Sequence, residues 1–321
     1  MYCTYIRIMA MVSIILCHIA SQHPSQYVQI SAQFFNIGVQ MFFCLSGFLF
    51  GTQGQIKSIG EWYKRRIKRI YIPWLLFVAF LTIIHLVKGN DVITWKWAKL
   101  VLGLQGTIVG VQGAGHTWFI TSMLVCYAVT PILSVLCGVL DRKWVVAFLL
   151  FLPFVLALLP IRFFTLLCPI CWYGIAYVVG QTFDEHWLNA RNGMIALVIA
   201  MVTLSIRFAI RLVIDDPFWY DKLCVNYTQV VAACGLMFFV ASLFKDSHAG
   251  SLGKYISDIS FELYLYHYML CAGPISIFAA QLPWIYSSLT IVACSFGMAS
   301  IAHYISLNFI KIRRRNRQVR A

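Results

Sequence analysis

Residues 148–159 read Phe-Leu-Leu-Phe-Leu-Pro-Phe-Val-Leu-Ala-Leu-Leu, twelve apolar residues in succession. A strand of a lipid-facing barrel alternates apolar and polar residues, because one face meets lipid and the other the lumen. This run does not alternate. Open backbone cannot face hydrocarbon, so a continuous apolar run of this kind reads as a membrane helix. The same pattern extends on both sides. The chain of 321 residues is 61% hydrophobic and 11% charged, against roughly 45–50% and 25% in a soluble domain. A water-soluble globule is excluded, and the bilayer is the solvent.

A spanning helix needs about 20 mostly apolar residues. Read on that scale, the chain holds ten spans: 4–20, 34–52, 70–88, 116–138, 143–160, 163–182, 193–213, 226–244, 258–280 and 285–309. The fifth and sixth are barely separated, by Pro160. The expected fold is therefore an all-α, polytopic membrane helix bundle of about ten transmembrane helices. Residues 1–310 form a single transmembrane domain, and 311–321 form a basic tail. The first apolar run starts almost at Met1 with Arg7 inside it rather than ahead of it, so it is expected to be retained as a span and not cleaved.

The net charge of +14 has a topological origin. With the N-terminus in the cytoplasm, 18 of the 25 Lys and Arg residues fall on the cytoplasmic side, including Lys57, the cluster Lys64 to Arg69, and Lys311 to Arg320. The positive-inside rule thus predicts both termini in the cytoplasm, and the basic clusters lack the aromatic interleaving of a nucleic-acid module. The acids in outer positions are Asp91, Asp215, Asp216 and Asp221. Most of the eleven cysteines lie inside apolar runs and read as packing residues; Cys168 and Cys171 have redox or zinc spacing but no second pair nearby. No metal site is expected. The longest connection, 89–115, carries Trp95-Lys96-Trp97-Ala98-Lys99, suited to the membrane interface, and a glycine-rich stretch that lacks the Gly-Lys-Ser/Thr ending of a phosphate loop.

Ionisable residues inside spans are the informative ones, because each costs about 2.5–3.5 kcal/mol at a helix centre unless a partner or cavity relieves it. Arg7 and His18 are eleven apart, which places them within about 20° of one helix face and about 16.5 Å apart along the axis. Arg66 and Arg69, with Arg65, present guanidiniums on one side of the start of the third span. That arrangement serves either to grip a phosphorylated ligand or to anchor the helix on anionic lipid. His116, ahead of Trp118, is an interfacial or site-lining residue. Ser260, Tyr264 and His267 share a face of the ninth span, to which Glu262 does not belong.

Taken in order, Arg7-x10-His18, Phe42-Phe43-Cys44-Leu45-Ser46-Gly47-Phe48-Leu49, Arg66-Ile67-Lys68-Arg69-Ile70 with Pro73, His116-Thr117-Trp118-Phe119 and Ser260-Phe261-Glu262-Leu263-Tyr264-Leu265-Tyr266-His267 resemble the acyltransferase-3 family. These are bacterial integral-membrane O-acyltransferases of surface carbohydrates. Pro73 stands four residues after Arg69, where many members have three.

The resemblance implies an acyl-CoA donor, most often acetyl-CoA, supplied from the cytoplasm. It implies a sugar hydroxyl of a surface or lipid-linked polysaccharide as acceptor, in the bacterial cytoplasmic membrane. It implies His18 as the catalytic residue and Arg7, Arg66 and Arg69 as the groups that hold the donor's phosphates. His116, Trp118, Tyr264 and His267 become candidates for lining the substrate site. From the residues alone His18 also reads as a satisfied structural histidine, and Ser46 as a small residue permitting close helix approach beside Gly47. The rival reading is a transporter or flippase of lipid-linked or acylated sugars, which receives a diphosphate on the same arginines; no pair of Gly/Pro-interrupted spans in corresponding halves supports it.

Overall fold

The computed structural model describes residues 2–318 except Gln55, Lys57, Ile108, Val109 and 214–216, and does not describe the side chains of Leu212, Pro217 and 310–318. Of the charges counted above, Lys57, Asp215, Asp216 and Arg320 lie outside the described residues, as do the side chains of the other basic residues of the tail.

The described secondary structure is helical throughout. In chain order the helices are α1 (Tyr2–Ala20), α2 (Gln26–Phe35), α3 (Gly38–Gly51), α4 (Ile59–Val87), α5 (Trp95–Val101), α6 (Trp118–Val139), α7 (Arg142–Leu156), α8 (Ile161–Gly180), α9 (Ala190–Val213), α10 (Val225–Leu243), α11 (Ser251–Asp258), α12 (Ser260–Ala272) and α13 (Trp284–Gln318). Nine stretches among the described residues are long and apolar enough to cross a membrane. The expected fifth span is the exception. Asp141 caps the start of α7, its carboxylate accepting from the Lys143 backbone N–H at 3.0 Å. Leu159 precedes Pro160, a position from which the helical conformation is sterically disfavoured, so α7 closes at Leu156 after 15 residues. At 1.5 Å per residue that is about 22 Å, short of the roughly 30 Å hydrocarbon core. Among the described residues the structure thus has nine candidate spans where ten were expected.

Three other boundaries depart from the hydropathy reading. The expected second span, 34–52, is the second half of a longer helical stretch, broken at Asn36 and Ile37, whose first half α2 carries Gln26, Gln29 and Gln33. The polar side chains hid it from an apolar count. In the third span the helix starts eleven residues earlier than expected, at Ile59, because Ser58 caps it there: the Ser58 hydroxyl accepts from the Glu61 N–H at 3.5 Å. That extension turns the basic cluster into the first turns of α4. α13 likewise runs on through Gln318, so the expected tail begins as its continuation.

Helices in lipid approach closely where small residues line the contact. On α3, Gly47 and Gly51 lie one turn apart against α8, where an added Cβ would stand 2.1 Å from the backbone oxygens of Tyr173 and Tyr177. Gly180 answers from α8, 2.3 Å by the same measure from the Phe48 oxygen. Gly38 packs α3 against Ala10 of α1 in the same way, at 2.3 Å. α3 thus sits inside the bundle, between α1, α8 and α10. Cys168 and Cys171 are buried with Cys44, Phe164 and Trp172 in an apolar cluster, in keeping with packing. The remaining wall is made by α4, α6, α12 and α13, and a cavity opens where these face α1 and α3.

Candidate active site

The cavity has a volume of about 1010 Å³. Its basic end is built by α4 and α1, from which Arg65, Arg66, Lys68, Arg69 and Arg7 line it, against only two acids, Asp258 and Glu262. Like charges held together in a partly desolvated space repel one another, and an anionic ligand offsets that cost. Arg66 is fixed in place: its guanidinium stacks 4.3 Å over the Phe50 ring, lies 5.8 Å from Trp62, and donates from Nη2 to Gln53 Oε1 at 3.0 Å. Its Nε is buried with no partner. Arg69 is exposed on the cavity side, and Arg7 is half-buried. All three residues expected to hold phosphates therefore open onto one space. Pro73 lines the same cavity and, lacking an N–H, cannot pair with the Arg69 carbonyl four residues back.

Away from the arginines the lining turns apolar and aromatic, with Phe42, Phe119, Met123, Tyr127 and Phe261, and Tyr264 beside Phe119 at 5.1 Å between ring centres. Behind Tyr264 stand three histidines from three parts of the chain. His18 comes from the last turn of α1, His116 from a short 3-10 turn (Gly115–Thr117) ahead of α6, and His267 from α12. His18 and His267 are 5.2 Å apart by ring centres, and His267 and His116 are 5.4 Å apart. Tyr268 joins them, stacked on His116 at 4.7 Å and edge-on to His18 at 4.9 Å. Tyr264 touches the His116 ring at 4.9 Å, and its hydroxyl donates to the His116 backbone carbonyl. The C-terminal end of α1 is tied to α13, where Trp284 Nε1 donates to the Ile19 carbonyl at 3.4 Å.

The structure divides the expected site residues. Arg7, Arg66, Arg69 and Tyr264 line the cavity; His18, His116 and His267 form the cluster behind it and do not line it. Trp118 is half-buried against the apolar core and belongs to neither group. Ser46 lines the cavity while its neighbour Gly47 makes the close helix contact. Glu262, set aside on helical spacing, also lines the cavity, together with Ser260, Tyr264 and His303. Its carboxylate is buried and bonded to His303 Nδ1 at 2.8 Å. Both are ionisable groups inside spans, which is the signal that would have found them. Among the described residues no cluster of three or more His, Cys, Asp or Glu has the arrangement of a metal site.

An arginine-lined cavity leading toward histidines suits group transfer from an anionic donor, but geometry alone does not distinguish reaction classes. The sequence profile of the acyltransferase-3 family, an acyltransferase domain, matches residues 2–302. The chain belongs to the acyltransferase-3 family. The match takes in the basic start of α4 and all three histidines, and it ends at Ala302, one residue before His303. An acyltransferase-3 protein is an acyltransferase, and the multi-pass helical architecture found here accords with its being a membrane protein. Comparison with curated proteins and with solved structures returned no match.

Proposed function

We propose that this acyltransferase is an integral-membrane O-acyltransferase that moves an acyl group, acetyl in the simplest case, from acyl-CoA to a sugar hydroxyl of a cell-surface or lipid-linked polysaccharide. The observation that carries the reading is the polarity of the site: five cations at one end of a cavity, an aromatic throat, and three histidines beyond it. Coenzyme A has matching polarity, with phosphates at one end and the thioester at the other end of an arm on the order of 15–20 Å, close to the roughly 16.5 Å rise from Arg7 to His18. In this reading the arginine end faces the cytoplasm of a bacterial cell, with both termini on that side, in line with the excess of Lys and Arg there.

Arg66 and Arg69, with Arg7 across the cavity, pair with the donor's phosphates through charge-assisted hydrogen bonds. The pantetheine arm runs along Phe42, Phe119 and Tyr264. The thioester reaches the histidines when the Tyr264 side chain yields, since Tyr264 stands between cavity and cluster. His18, half-buried and so the most accessible ring of the three, takes the proton of the acceptor hydroxyl as its oxygen attacks the thioester carbonyl. The new C–O bond forms, the C–S bond breaks, and the departing sulfur takes the proton back from the His18 imidazolium. Coenzyme A leaves as the free thiol and the sugar as its ester.

The test uses membranes holding the full-length protein, given acetyl-CoA labelled in the acetyl group. Label accumulates on carbohydrate with wild-type protein and not with His18→Ala at equal protein levels. Carbohydrate labelled equally by the variant contradicts the assignment of His18, and no labelled ester with any carbohydrate fraction contradicts the acceptor class.

A further inference from the structure

The three histidines are not equivalent. His267 Nδ1 lies 3.0 Å from the Leu263 backbone carbonyl, four residues back on α12. A carbonyl only accepts, so Nδ1 carries a proton, and in the neutral ring Nε2 then holds a lone pair. That Nε2 is buried and has no hydrogen-bond partner, in a residue with no exposed surface. The main-chain contact thus turns an acceptor toward the cluster and leaves it unanswered.

Two rings are near enough to answer. His116 meets His267 edge-on at 75°, and it is itself buried and stacked on Tyr268, which leaves it little freedom. His18 meets His267 at 39° and, being half-buried, is less enclosed than His116. Each ring nitrogen lies about 1.1 Å from the centre of its ring, so two imidazoles joined by a hydrogen bond of about 2.9 Å have centres about 5.1 Å apart when the nitrogens point at each other. The observed separation of His18 and His267 is 5.2 Å. That spacing admits the hydrogen bond, while Nε2 of His267 stands without a partner, so the His18 ring has to turn for the bond to form, as is common for catalytic hydrogen bonds before substrate binds.

We propose that His267 is a positioning residue, whose Nε2 accepts the N–H of His18 and so fixes which His18 nitrogen presents its lone pair to the acceptor hydroxyl. The proposal rests on His18 being the base. In it, the Leu263 carbonyl, His267 and His18 form a chain in which each member sets the tautomer of the next, with a backbone carbonyl where other sites use a carboxylate. As His18 takes the acceptor's proton, the positive charge it gains sits on the ring whose N–H the His267 lone pair receives.

Purified full-length protein carrying His267→Ala, His267→Asn or His267→Gln tests this by steady-state kinetics. Asparagine can keep the bond to the Leu263 carbonyl but does not reach the place of Nε2, whereas the glutamine amide oxygen does. The expected result is a kcat lower by about 10–100-fold for Ala and Asn, substantial recovery in Gln, and a KM for acetyl-CoA within twofold of wild type throughout. In the His18→Ala background, His267→Ala should cost nothing further, since the two act as a unit. An unchanged kcat in His267→Ala, recovery by Asn as good as by Gln, or coupling to His116→Ala instead of His18→Ala would overturn the proposal. Full transfer by His18→Ala alone would remove the base itself, an outcome separate from a His267 variant that is silent while His18→Ala is dead.

Discussion

The two ends of the site solve the problem of polar groups in a membrane in opposite ways. At the arginine end charge is plentiful and constrained: Arg66 is stacked on Phe50, hydrogen-bonded to Gln53 and open to a large cavity. At the histidine end no charge is required and partners are scarce, with both ring nitrogens of His116 and Nε2 of His267 buried and unbonded. In the proposed function the first region binds an anion for as long as it stays, and the second changes protonation when a hydroxyl arrives. Substitutions at the first should therefore move affinity, and substitutions at the second should move rate.

The largest expected effect lies in the histidine cluster. His18→Ala should lower the transfer rate by about 10²–10⁴, the range of a lost general base, while the protein accumulates normally; a rate within tenfold of wild type in a membrane assay would break the division between the two ends. Next, Arg66→Ala removes a charge-assisted contact, and at about 1.5–3 kcal/mol it should raise KM for acetyl-CoA by roughly 10–100-fold with kcat little changed. A fall in kcat instead would place Arg66 in the chemistry. Arg66→Lys keeps the charge but not the planar fork that stacks on Phe50 and reaches Gln53, and a KM rise of several-fold is expected, smaller than for Ala. Smallest is Tyr264→Phe, which keeps the ring between the two ends and loses only the bond to the His116 carbonyl. A single neutral hydrogen bond is worth about 1 kcal/mol, so kcat should fall by a factor of about five with acetyl-CoA affinity untouched.

Much of this was readable from the chain. Unbroken apolar runs identify most of the spans, and the spacing of Arg7 and His18 puts both on one face of α1. Arg7 lines the cavity and His18 lies in the histidine cluster behind it. What spacing along a single helix cannot show is what a second helix inserts between them, and here Tyr264 of α12 separates the cavity that Arg7 lines from the cluster that holds His18. Glu262 and His303 each carried a signal as ionisable residues inside spans, but their pairing was invisible for the same reason: they are 41 residues apart on two helices, and a helical wheel of α12 alone turns Glu262 away from Tyr264 and His267. α7 was overestimated because hydropathy counts apolar residues, whereas backbone sterics at Pro160 decide where the helix stops.

The central claim is that one ligand is held by charge at the arginines and reacts, without being held, at the histidines. Equilibrium binding of coenzyme A to purified protein tests it directly, comparing wild type, the double variant Arg66→Ala with Arg69→Ala, and His18→Ala. Loss of at least tenfold in affinity is expected for the arginine variant, together with wild-type affinity for His18→Ala. Unchanged affinity in the arginine variant, or a loss in His18→Ala as large as in the arginine variant, would contradict it.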